Sequence, residues 1–588
     1  MNLNTSKKMK RKSPIARHLI EIIAVLAIII LVNFISQTKF LRLDLTEDKV
    51  HTLSERTTSF FENELDGVVN IEIYLDGEFP AYVQKLKNSV KEKLEEFQAF
   101  SKHKIKYRFI NPNADKELAE DLKRTLFEDG ISPMYLIDQQ EGKEEKIEFW
   151  PGAIIRYKNS QVAVNFLQVG NYMVSPPQVN AAINQMEYSF VKGFWDLTKK
   201  KRHTVSFLRG HGELDNAQAS MIRHQLLEFY NVDTVQIKHF MVSDSTIKED
   251  IHALDKSDAL IIAKPQEKFN EKEKFIIDQF VMNGKKVFWL VDMMQIPEDS
   301  LAIDKFVYSA PLDVNLDDML FKYGVRINKN LVTDANCGPT WRRDNYKAVY
   351  NWFLFPRVGS NHITTKNVAP IMLRYASSLE AVGDQSITKT VLLESSKDYK
   401  IMPSRFRVSY DFLDGYNPTL SQQVKKTPTQ PLAYLLEGEF DSHFKGRITE
   451  SFINSRDYKF KEKSKKNKMV IIGDGDIIRN ELGYSNKGNL VPYRLEFDPN
   501  VRDNAGNLVP YHGNGIFFLN LVDYIMGNDY LIPLRSRQKT QRLLDRKAIS
   551  LERYKWQTIN MVVPILFVVL LAMIQLFIRK KKYTKLKS

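Results

Sequence analysis

The sequence has only one cysteine, Cys337, among its 588 residues, so an internal disulfide is excluded. Several enzyme motifs are also missing: the Gly-x-x-x-x-Gly-Lys-Ser/Thr loop for ATP, His-Glu-x-x-His or paired Cys-x-x-Cys for zinc, and the Gly-x-Ser-x-Gly elbow for a serine nucleophile. Cys337 itself lies in a turn-rich stretch, which is a poor setting for a nucleophile. The sequence therefore disfavours an enzyme, and it predicts no catalytic residue, cofactor site or metal site.

A basic groove for nucleic acid is missing too, although the net charge is +14. Three short stretches, residues 1–18, 535–555 and 579–588, each carry a net charge of +6. They account for more than the whole excess, so the rest of the chain is mildly acidic. The basic charge belongs to the ends, and nucleic acid is not a predicted partner.

Two apolar runs lie near those ends. The first, residues 19–36, is interrupted mainly by Glu21 and Asn33 and is at the short limit for a membrane helix. No Ala-x-Ala-like cleavage site follows it, so an uncleaved signal anchor is predicted. The second run, residues 559–578, is long enough to span a bilayer and is followed by four consecutive basic residues.

The distribution of charge around these runs predicts their orientation. The positive-inside rule places the basic tail at 1–18 in the cytoplasm. Because no third run is long enough to span, the basic tail at 579–588 returns to the cytoplasm, and roughly 520 residues lie outside it. The predicted protein is therefore a two-pass membrane protein with a large extracytoplasmic part.

The extracytoplasmic part begins with a linker at 37–67 and a first α/β domain at 68–198. Alternating strands at Val68–Leu75 and Ile105–Ile110 flank a helix at Val83–Phe100. Further strands lead to a helix at Val179–Leu197, which is expected to bridge to the next domain. This order is typical of a thioredoxin-like outline, but without Cys-x-x-Cys redox chemistry is excluded.

A second domain is predicted at 199–534. Its opening strand, Thr204–Leu208, is followed by further apolar strands separated by helices: Asp233–Ile237, Ala259–Ala263, Lys286–Val291 and the strand that begins at Lys468. Such alternation is typical of a mostly parallel, doubly wound, Rossmann-like sheet. Residues of about 300–465 are expected to form a long insertion. A basic juxtamembrane stalk is expected at 535–558.

The turn Arg209-Gly-His-Gly-Glu213 follows the opening strand of this domain and holds the first candidate site. In open α/β sheets, ligands bind at the carboxyl ends of the strands, which is where this turn places His211 and Glu213. One reading is a ligand pair or an acid–base pair. The other is a turn in which Glu213 or Asp215 caps the next helix and His211 bonds locally.

The second candidate site is the sequence Gly-Asp-Gly-Asp476, which follows the strand from Lys468. Asp474 and Asp476 are expected at the same sheet edge, where they could contact a ligand, a partner or a hard cation. Asp-Gly turns without any such role are common, so both readings stay open.

Four stretches carry a resemblance to a known family: Arg42-Leu-Asp-Leu-Thr46, Tyr107 to Pro112, Arg209 to Glu213, and Gly513 to Arg535. Together they resemble the GldG family, the auxiliary or substrate-binding component of the ABC transporter associated with bacterial gliding motility. The resemblance covers nearly the whole chain. It also extends to a domain of intraflagellar transport proteins.

This resemblance implies a partner ABC permease subunit in the bacterial inner membrane, a separate cytoplasmic ATPase subunit and a periplasmic large domain. The predicted function is a non-enzymatic auxiliary subunit of such a complex. Two alternatives remain: a periplasmic hydrolase or transferase that uses His211 and Glu213, and a purely structural envelope scaffold. No catalytic residue is implied by the family, and its substrate is not identified by the sequence.

Overall fold

The computed structural model describes residues 53–114, 119–140, 143–167, 174–198, 202–237, 253–304, 306–342, 345–383, 385–409, 428–447, 460–484, 488–502, 508–535 and 546–584. The chain divides into two units, Met1–Arg537 and Gln538–Ser588, and each is described by itself. The predicted tail at 1–18 and the predicted first span at 19–36 lie outside the described residues.

The described region from residue 53 to 198 comprises the end of the predicted linker and the predicted first domain, and it follows the α/β order expected from the sequence. Its elements are α1 (Glu55–Asn63), β1 (Val69–Ile73), α2 (Ala81–Phe100), β2 (Ile105–Phe109), α3 (Ala119–Glu128), β3 (Met134–Gln140), β4 (Lys143–Phe149), β5 (Gly152–Tyr157), β6 (Ser160–Asn165) and α4 (Pro176–Thr198).

A four-stranded sheet in the order β2-β1-β5-β6 forms the centre of this domain. Strands β1 and β2 are parallel, whereas β5 runs antiparallel to both of its neighbours, β1 and β6. Strands β3 and β4 form a separate hairpin. Helix α2 buries Val83, Leu86, Val90, Leu94 and Phe97, whose spacing of three and four residues gives the helix one apolar face.

The second domain contains the remaining elements of the first unit. The first half contains β7 (Thr204–Arg209), α5 (Ser220–Leu227), β8 (Asn231–Gln236), β9 (Ala259–Ala263), α6 (Glu271–Met282), β10 (Lys286–Leu290), β11 (Met294–Gln295), α7 (Glu298–Asp304), β12 (Phe306–Tyr308), β13 (Ala310–Pro311), α8 (Asp317–Tyr323), β14 (Val325–Ile327), β15 (Leu331–Asp334), β16 (Cys337–Arg342) and β17 (Asn345–Val358). The second half contains β18 (Ile371–Met372), β19 (Leu379–Ala381), β20 (Thr388–Glu394), β21 (Tyr399–Met402), β22 (Arg407–Ser409), β23 (Pro431–Gly438), β24 (Asn467–Ile472), β25 (Leu482–Tyr484), β26 (Leu490–Pro492), β27 (Phe497–Arg502), β28 (Leu508–Pro510), α9 (Asn514–Met526), a 3-10 helix (Asp529–Leu531) and α10 (Ile532–Arg535).

The main sheet of this domain has seven strands in the order β20-β23-β24-β10-β9-β7-β8. The five strands β8-β7-β9-β10-β24 are parallel, and they follow the chain in the order 2-1-3-4-5. Helices cover both faces: α5 and α9 pack on one face, and α6 packs on the other. Burial on both faces explains why the central strands are continuous apolar runs without alternation.

The segment of about 300–465, which is expected to be a long insertion in this domain, contributes two strands to the main sheet. Strand β23 pairs antiparallel with β24, and β20 pairs antiparallel with β23. Other described strands of the segment form small two- and three-stranded sheets. Strand β23 reads Pro-Leu-Ala-Tyr-Leu-Leu-Glu-Gly, an apolar run that the sequence analysis did not place in the sheet. The segment therefore adds two strands to the main sheet and also forms smaller sheets of its own.

The described residues of the second unit, 546–584, form one long helix, α11 (Arg546–Thr584). Within it, the 26 residues Lys555–Lys580 have a mean hydropathy of 2.9 and are long and apolar enough to cross a membrane. Their side chains are exposed within this unit. The predicted boundary between the basic stalk and the second span, at residue 558, lies inside this continuous helix.

Candidate functional site

The carboxyl edge of the main parallel sheet is where the sequence placed both candidate sites. In a sheet with the order 2-1-3-4-5, the connection after the first strand leads toward one edge of the sheet, and the connection after the third strand leads toward the other. Here these strands are β7 and β9, which lie side by side, and the topological switch point is between them. Ligands of such sheets bind in the crevice at this switch point. The turn Arg209–Glu213 leaves β7 at this crevice.

Backbone hydrogen bonds close the crevice. The N–H groups of Gln266 and Glu267, which follow β9, donate to the carbonyl of His211 over 2.7 and 2.9 Å. Gly212 has a φ of +75°, and a Cβ there would lie 3.0 Å from the Cβ of Gln266. Glycine is needed because of both the left-handed backbone and this close approach. The chain's own turn therefore occupies the place where ligands bind in comparable sheets.

The side chain of His211 is fully buried beneath this turn. Its ring stacks on Phe269, with the ring centroids 3.8 Å apart and an angle of 14° between the planes. Nδ1 lies 3.4 Å from Oε1 of Glu213, and Nε2 lies 3.0 Å from Oε2 of Glu273. These contacts are electrostatic rather than well-aligned hydrogen bonds, because both ring nitrogens lack a partner in good geometry.

The two carboxylates set the charge of the imidazole. Burial by itself lowers the pKa of His211, but Glu213 and Glu273 outweigh burial, and the pKa is raised. In return, His211 and its backbone N–H, which donates to Oε2 of Glu213 over 2.8 Å, lower the pKa of Glu213 against the effect of burial. An imidazolium between two carboxylates is the favoured state.

Glu273 and the nearby Asp215 also have local structural roles. Glu273 accepts from the backbone N–H of Asn270 over 2.8 Å and completes the capping box that begins α6. Asp215 accepts from the N–H of Gln218 over 2.7 Å in the turn before α5. We call His211, Glu213, Glu273 and Phe269 the His211 group. It joins the end of β7 to the start of α6.

Asp474 and Asp476 follow β24 at the same edge of the sheet. Glycine is required on both sides of Asp474, because a Cβ at Gly473 would lie 2.4 Å from the carbonyl oxygen of Ser377, and one at Gly475 would lie 2.7 Å from the Cα of Lys264. This close packing brings Asp476 into an ion pair with Lys264, which follows β9. Lys264 also lies 3.6 Å from Asp292, which follows β10.

These four residues, Lys264, Asp292, Asp474 and Asp476, form a second group, which we call the Lys264 cluster. Its acids differ in protonation. Burial and the neighbouring carboxylate of Asp476 raise the pKa of Asp292 to about 6. Burial and the charges of Asp292 and Asp476 raise the pKa of Asp474 well above its usual value. Burial also opposes ionisation of Asp476, but Lys264 and Arg479 lower its pKa.

Described residues around the Lys264 cluster form hydrogen bonds and ion pairs that connect it to neighbouring loops. The backbone N–H of Arg374 donates to Asp474 over 2.8 Å, and the guanidinium of Arg374 pairs with Glu481. Arg479 lies 3.2 Å from Asp476. The Lys264 side chain keeps 23% of its surface exposed, so this cluster, unlike the His211 group, reaches solvent.

The structure thus places the four predicted residues in two separate groups. His211 and Glu213 lie together, and so do Asp474 and Asp476, but β7 and β24 are separated by two strands, which corresponds to about 14 Å at the usual spacing. Among the described residues, no group of three or more His, Cys, Asp or Glu side chains is arranged to hold a metal ion.

Lys264, Asp292, Glu273 and Arg374 were missed by the sequence analysis. Lys264 and Asp292 had a usable signal, because each is among the first polar residues after a buried parallel strand, and such strands end at one edge. Glu273 and Arg374 had none, because a capping residue on α6 and a loop residue of the segment of about 300–465 approach the edge only through the tertiary fold.

Comparisons with known proteins support the coarser part of the resemblance, an auxiliary component of an ABC-type transport system. Residues 202–520 match the family described as ABC-type uncharacterized transport system, and residues 47–156 match a domain of unknown function. An uncharacterized protein of Borreliella burgdorferi is 22% identical over 417 residues, which cover 70% of this chain and 75% of that protein.

One solved structure, the mmIFT52 N-terminal domain, is 11% identical and has a TM-score of 0.31, with 55% of this chain and 98% of that chain covered. At this TM-score the likeness carries no argument about the fold or function. The family match covers more than half of the chain, including the main sheet and both candidate groups. The chain therefore belongs to the family of ABC-type uncharacterized transport system auxiliary components.

Proposed function

We propose that this protein is a non-enzymatic, extracytoplasmic auxiliary subunit of an ABC transporter complex of the bacterial inner membrane. The observation that carries the proposal is the family match over residues 202–520 in a chain whose helix at Lys555–Lys580 is long and apolar enough to cross a membrane. The four stretches quoted above extend the proposal to gliding motility. Its partners are an ABC permease subunit and a cytoplasmic ATPase subunit.

The geometry of the sheet edge argues against chemistry at His211. The crevice at the switch point is closed by the turn itself, and the ring of His211 is buried between Phe269 and two carboxylates. A general base needs access to a substrate proton, which this ring lacks. Catalysis by His211 and Glu213, the hydrolase or transferase alternative, therefore has little support.

Two finer features belong to the same proposal. The strand order β2-β1-β5-β6, with β5 antiparallel, supports the thioredoxin-like outline of the first domain, and the order 2-1-3-4-5 supports the Rossmann-like description of the second. The second feature is the two-pass topology, with both termini in the cytoplasm and the domains at 68–198 and 199–534 in the periplasm.

Co-purification from native membranes tests the proposed partners. The full-length chain with an affinity tag, extracted in mild detergent, is expected to retain a permease and an ATPase. The matched control is a tagged chain that ends after Arg535, which lacks α11 and is expected to lose both. Isolation of the full-length chain without either partner would contradict the proposal. The scaffold alternative predicts that same outcome, so the experiment separates the two.

The topology is tested separately by a reporter fused at Gly438, which ends β23 in the large domain. Alkaline phosphatase, which is active only outside the cytoplasm, is expected to be active at this position. It is expected to be inactive when fused after Ser588. Activity of a cytoplasmic reporter such as β-galactosidase at Gly438 would overturn the two-pass arrangement.

A further inference from the structure

Both ends of the described extracytoplasmic unit meet on one helix. The chain enters this unit at Leu53, after the predicted first span, and its last described residue is Arg535, before the second. The elements at the two ends, α1 and the 3-10 helix with α10, contact α4, and α1 also contacts the 3-10 helix. The contacts on α4 include two adjacent residues, Glu187 and Tyr188.

Glu187 binds the N-terminal end of this unit, at α1, which we call the incoming end. Its Oε1 accepts from the backbone N–H of Ser54 over 2.9 Å and from the hydroxyl of Thr57 over 2.7 Å. Ser54 is the N-cap of α1, so one carboxylate oxygen satisfies a backbone donor at this helix start and a fully buried hydroxyl. Phe61 of α1 then packs edge-on against Phe194 of α4, with their ring centroids 5.8 Å apart.

Arg535 fixes the C-terminal end of this unit, the 3-10 helix and α10, which we call the outgoing end. Its side chain is 8% exposed and donates to Asp523 over 2.8 Å and to Asn520 over 2.6 Å, both on α9. The guanidinium also lies over the ring of Tyr188, 5.7 Å from the centroid, and over the ring of Phe229, at 5.2 Å. A charged residue buried to this degree is unusual unless it is paired, as it is here.

Helix α4 is also the element that links the two domains. Gly193 lies against the first-domain sheet so closely that a Cβ would come within 2.8 Å of Ile155 and Val164. Two residues later, Trp195 packs edge-on against Phe229 of the second domain, with the ring centroids 6.2 Å apart. Lys192 adds an ion pair of 2.7 Å with Glu228.

We propose that α4 is a mechanical joint, in which Glu187 and Tyr188 fasten the chain from one membrane segment and the chain to the other onto the helix that links the two domains. A displacement of either membrane segment is thereby transmitted to the same helix, and through it to both domains. The inference rests on the proposed function for the existence of two membrane connections. It adds the route by which the state of the membrane complex is coupled to the periplasmic domains.

Hydrogen exchange measured by mass spectrometry on the full-length chain in lipid nanodiscs tests the joint. Arg535→Met removes the cation from the outgoing end and is expected to speed amide exchange at residues 529–535. If α4 couples the ends, exchange rises by about tenfold both in α4 around Glu187 and in α1, residues 55–63. A rise in α1 without one in α4 would mean that the direct contact between α1 and the 3-10 helix carries the effect, and it would overturn the joint. Glu187→Gln is expected to produce the reciprocal effect at residues 529–535.

The matched control is Arg374→Met, which removes another buried arginine from the same unit but lies at the sheet edge. It is expected to leave exchange in α1 unchanged. If Arg535→Met proves too unstable, Arg535→Lys keeps the charge and is expected to give the same pattern at smaller size. Exchange that rises only at the mutated end would overturn the joint. Because no partner protein is needed, this outcome is independent of whether a permease co-purifies.

Discussion

The His211 group and the Lys264 cluster lie at the same edge of the same sheet and contain similar side chains, but they are built differently. The His211 group is closed by backbone hydrogen bonds and covered by Phe269, and its single cation is fully buried. The single cation of the Lys264 cluster, Lys264, is nearly one-quarter exposed, and Arg479 outside the cluster also pairs with Asp476. The position of polar residues at a sheet edge therefore does not determine whether they are accessible to solvent. The loops that connect the strands determine it.

The largest expected effect is that of His211→Ala. It leaves Glu213 and Glu273 buried without their cation and opens a cavity beside Phe269, so the free energy of unfolding is expected to fall by about 3–5 kcal/mol. Denaturant unfolding of the full chain in detergent, followed by tryptophan fluorescence, measures it. As the control, His224→Ala removes an exposed histidine from α5 and is expected to change stability by less than about 0.5 kcal/mol.

The pH dependence of stability is the second test, and it separates the two groups. The pKa of Asp292 is raised to about 6 from an unfolded value near 4, so the folded state holds its proton more tightly. The stability from this group is present below about pH 4 and is lost as the pH rises through 6, by about 3 kcal/mol. Asp292→Asn is expected to remove this fall in unfolding free energy.

The raised pKa of His211 changes stability in the same direction as that of Asp292, but over a higher range of pH. Its stabilisation is fully present below the unfolded pKa of about 6.5 and is lost as the pH rises through the folded pKa. His211→Gln is therefore expected to flatten the stability curve only above about pH 6.5. If Asp292→Asn flattened the upper window instead, the two groups would not titrate independently.

A smaller effect is expected for Lys264→Met. Removal of this cation leaves Asp476 with Arg479, and Asp292 can take up a proton, so the loss is expected to be about 2 kcal/mol, below that of His211→Ala. Lys445→Met, which removes a more exposed pair with Asp441, provides the control and should cost less than about 1 kcal/mol. A larger loss for Lys264→Met than for His211→Ala would reverse the comparison of the two groups.

The smallest effect is expected for Gly475→Ala. Its Cβ would meet the backbone of Lys264 at 2.7 Å, so the loop must shift at a cost of about 1–2 kcal/mol. Gly359→Ala is the matched control, because no atom lies within 4 Å of the added Cβ. Calorimetry of the two variants measures the difference, and equal midpoints would show that the edge loop tolerates the added carbon.

The α/β class and the central strands could be predicted because burial on both faces of a parallel sheet requires continuous apolar runs, such as Ala259–Ala263. The start of α6 was readable too, since Asn270 and Glu273 have the spacing of a capping box. The assignment of the segment of about 300–465 could not be completed, because the pairing of β20 and β23 with the sheet depends on contacts distant in sequence.

The same limit applies to the candidate groups. Spacing alone brought His211 to Glu213 and Asp474 to Asp476, because each pair lies within one turn. It could not show that Phe269 covers the imidazole or that Glu273 supplies a second carboxylate. Those contacts decide that the turn closes the crevice, and they are fixed by the packing of α6 beside β7.

The burial of His211 is measured directly by histidine hydrogen exchange. The C2 proton of each imidazole in the full-length chain is exchanged in heavy water and followed by mass spectrometry. Our prediction is that His211 exchanges at least about tenfold more slowly than the exposed His224. Equal rates for the two would contradict it, because the crevice at the switch point would then be open to solvent and to ligands.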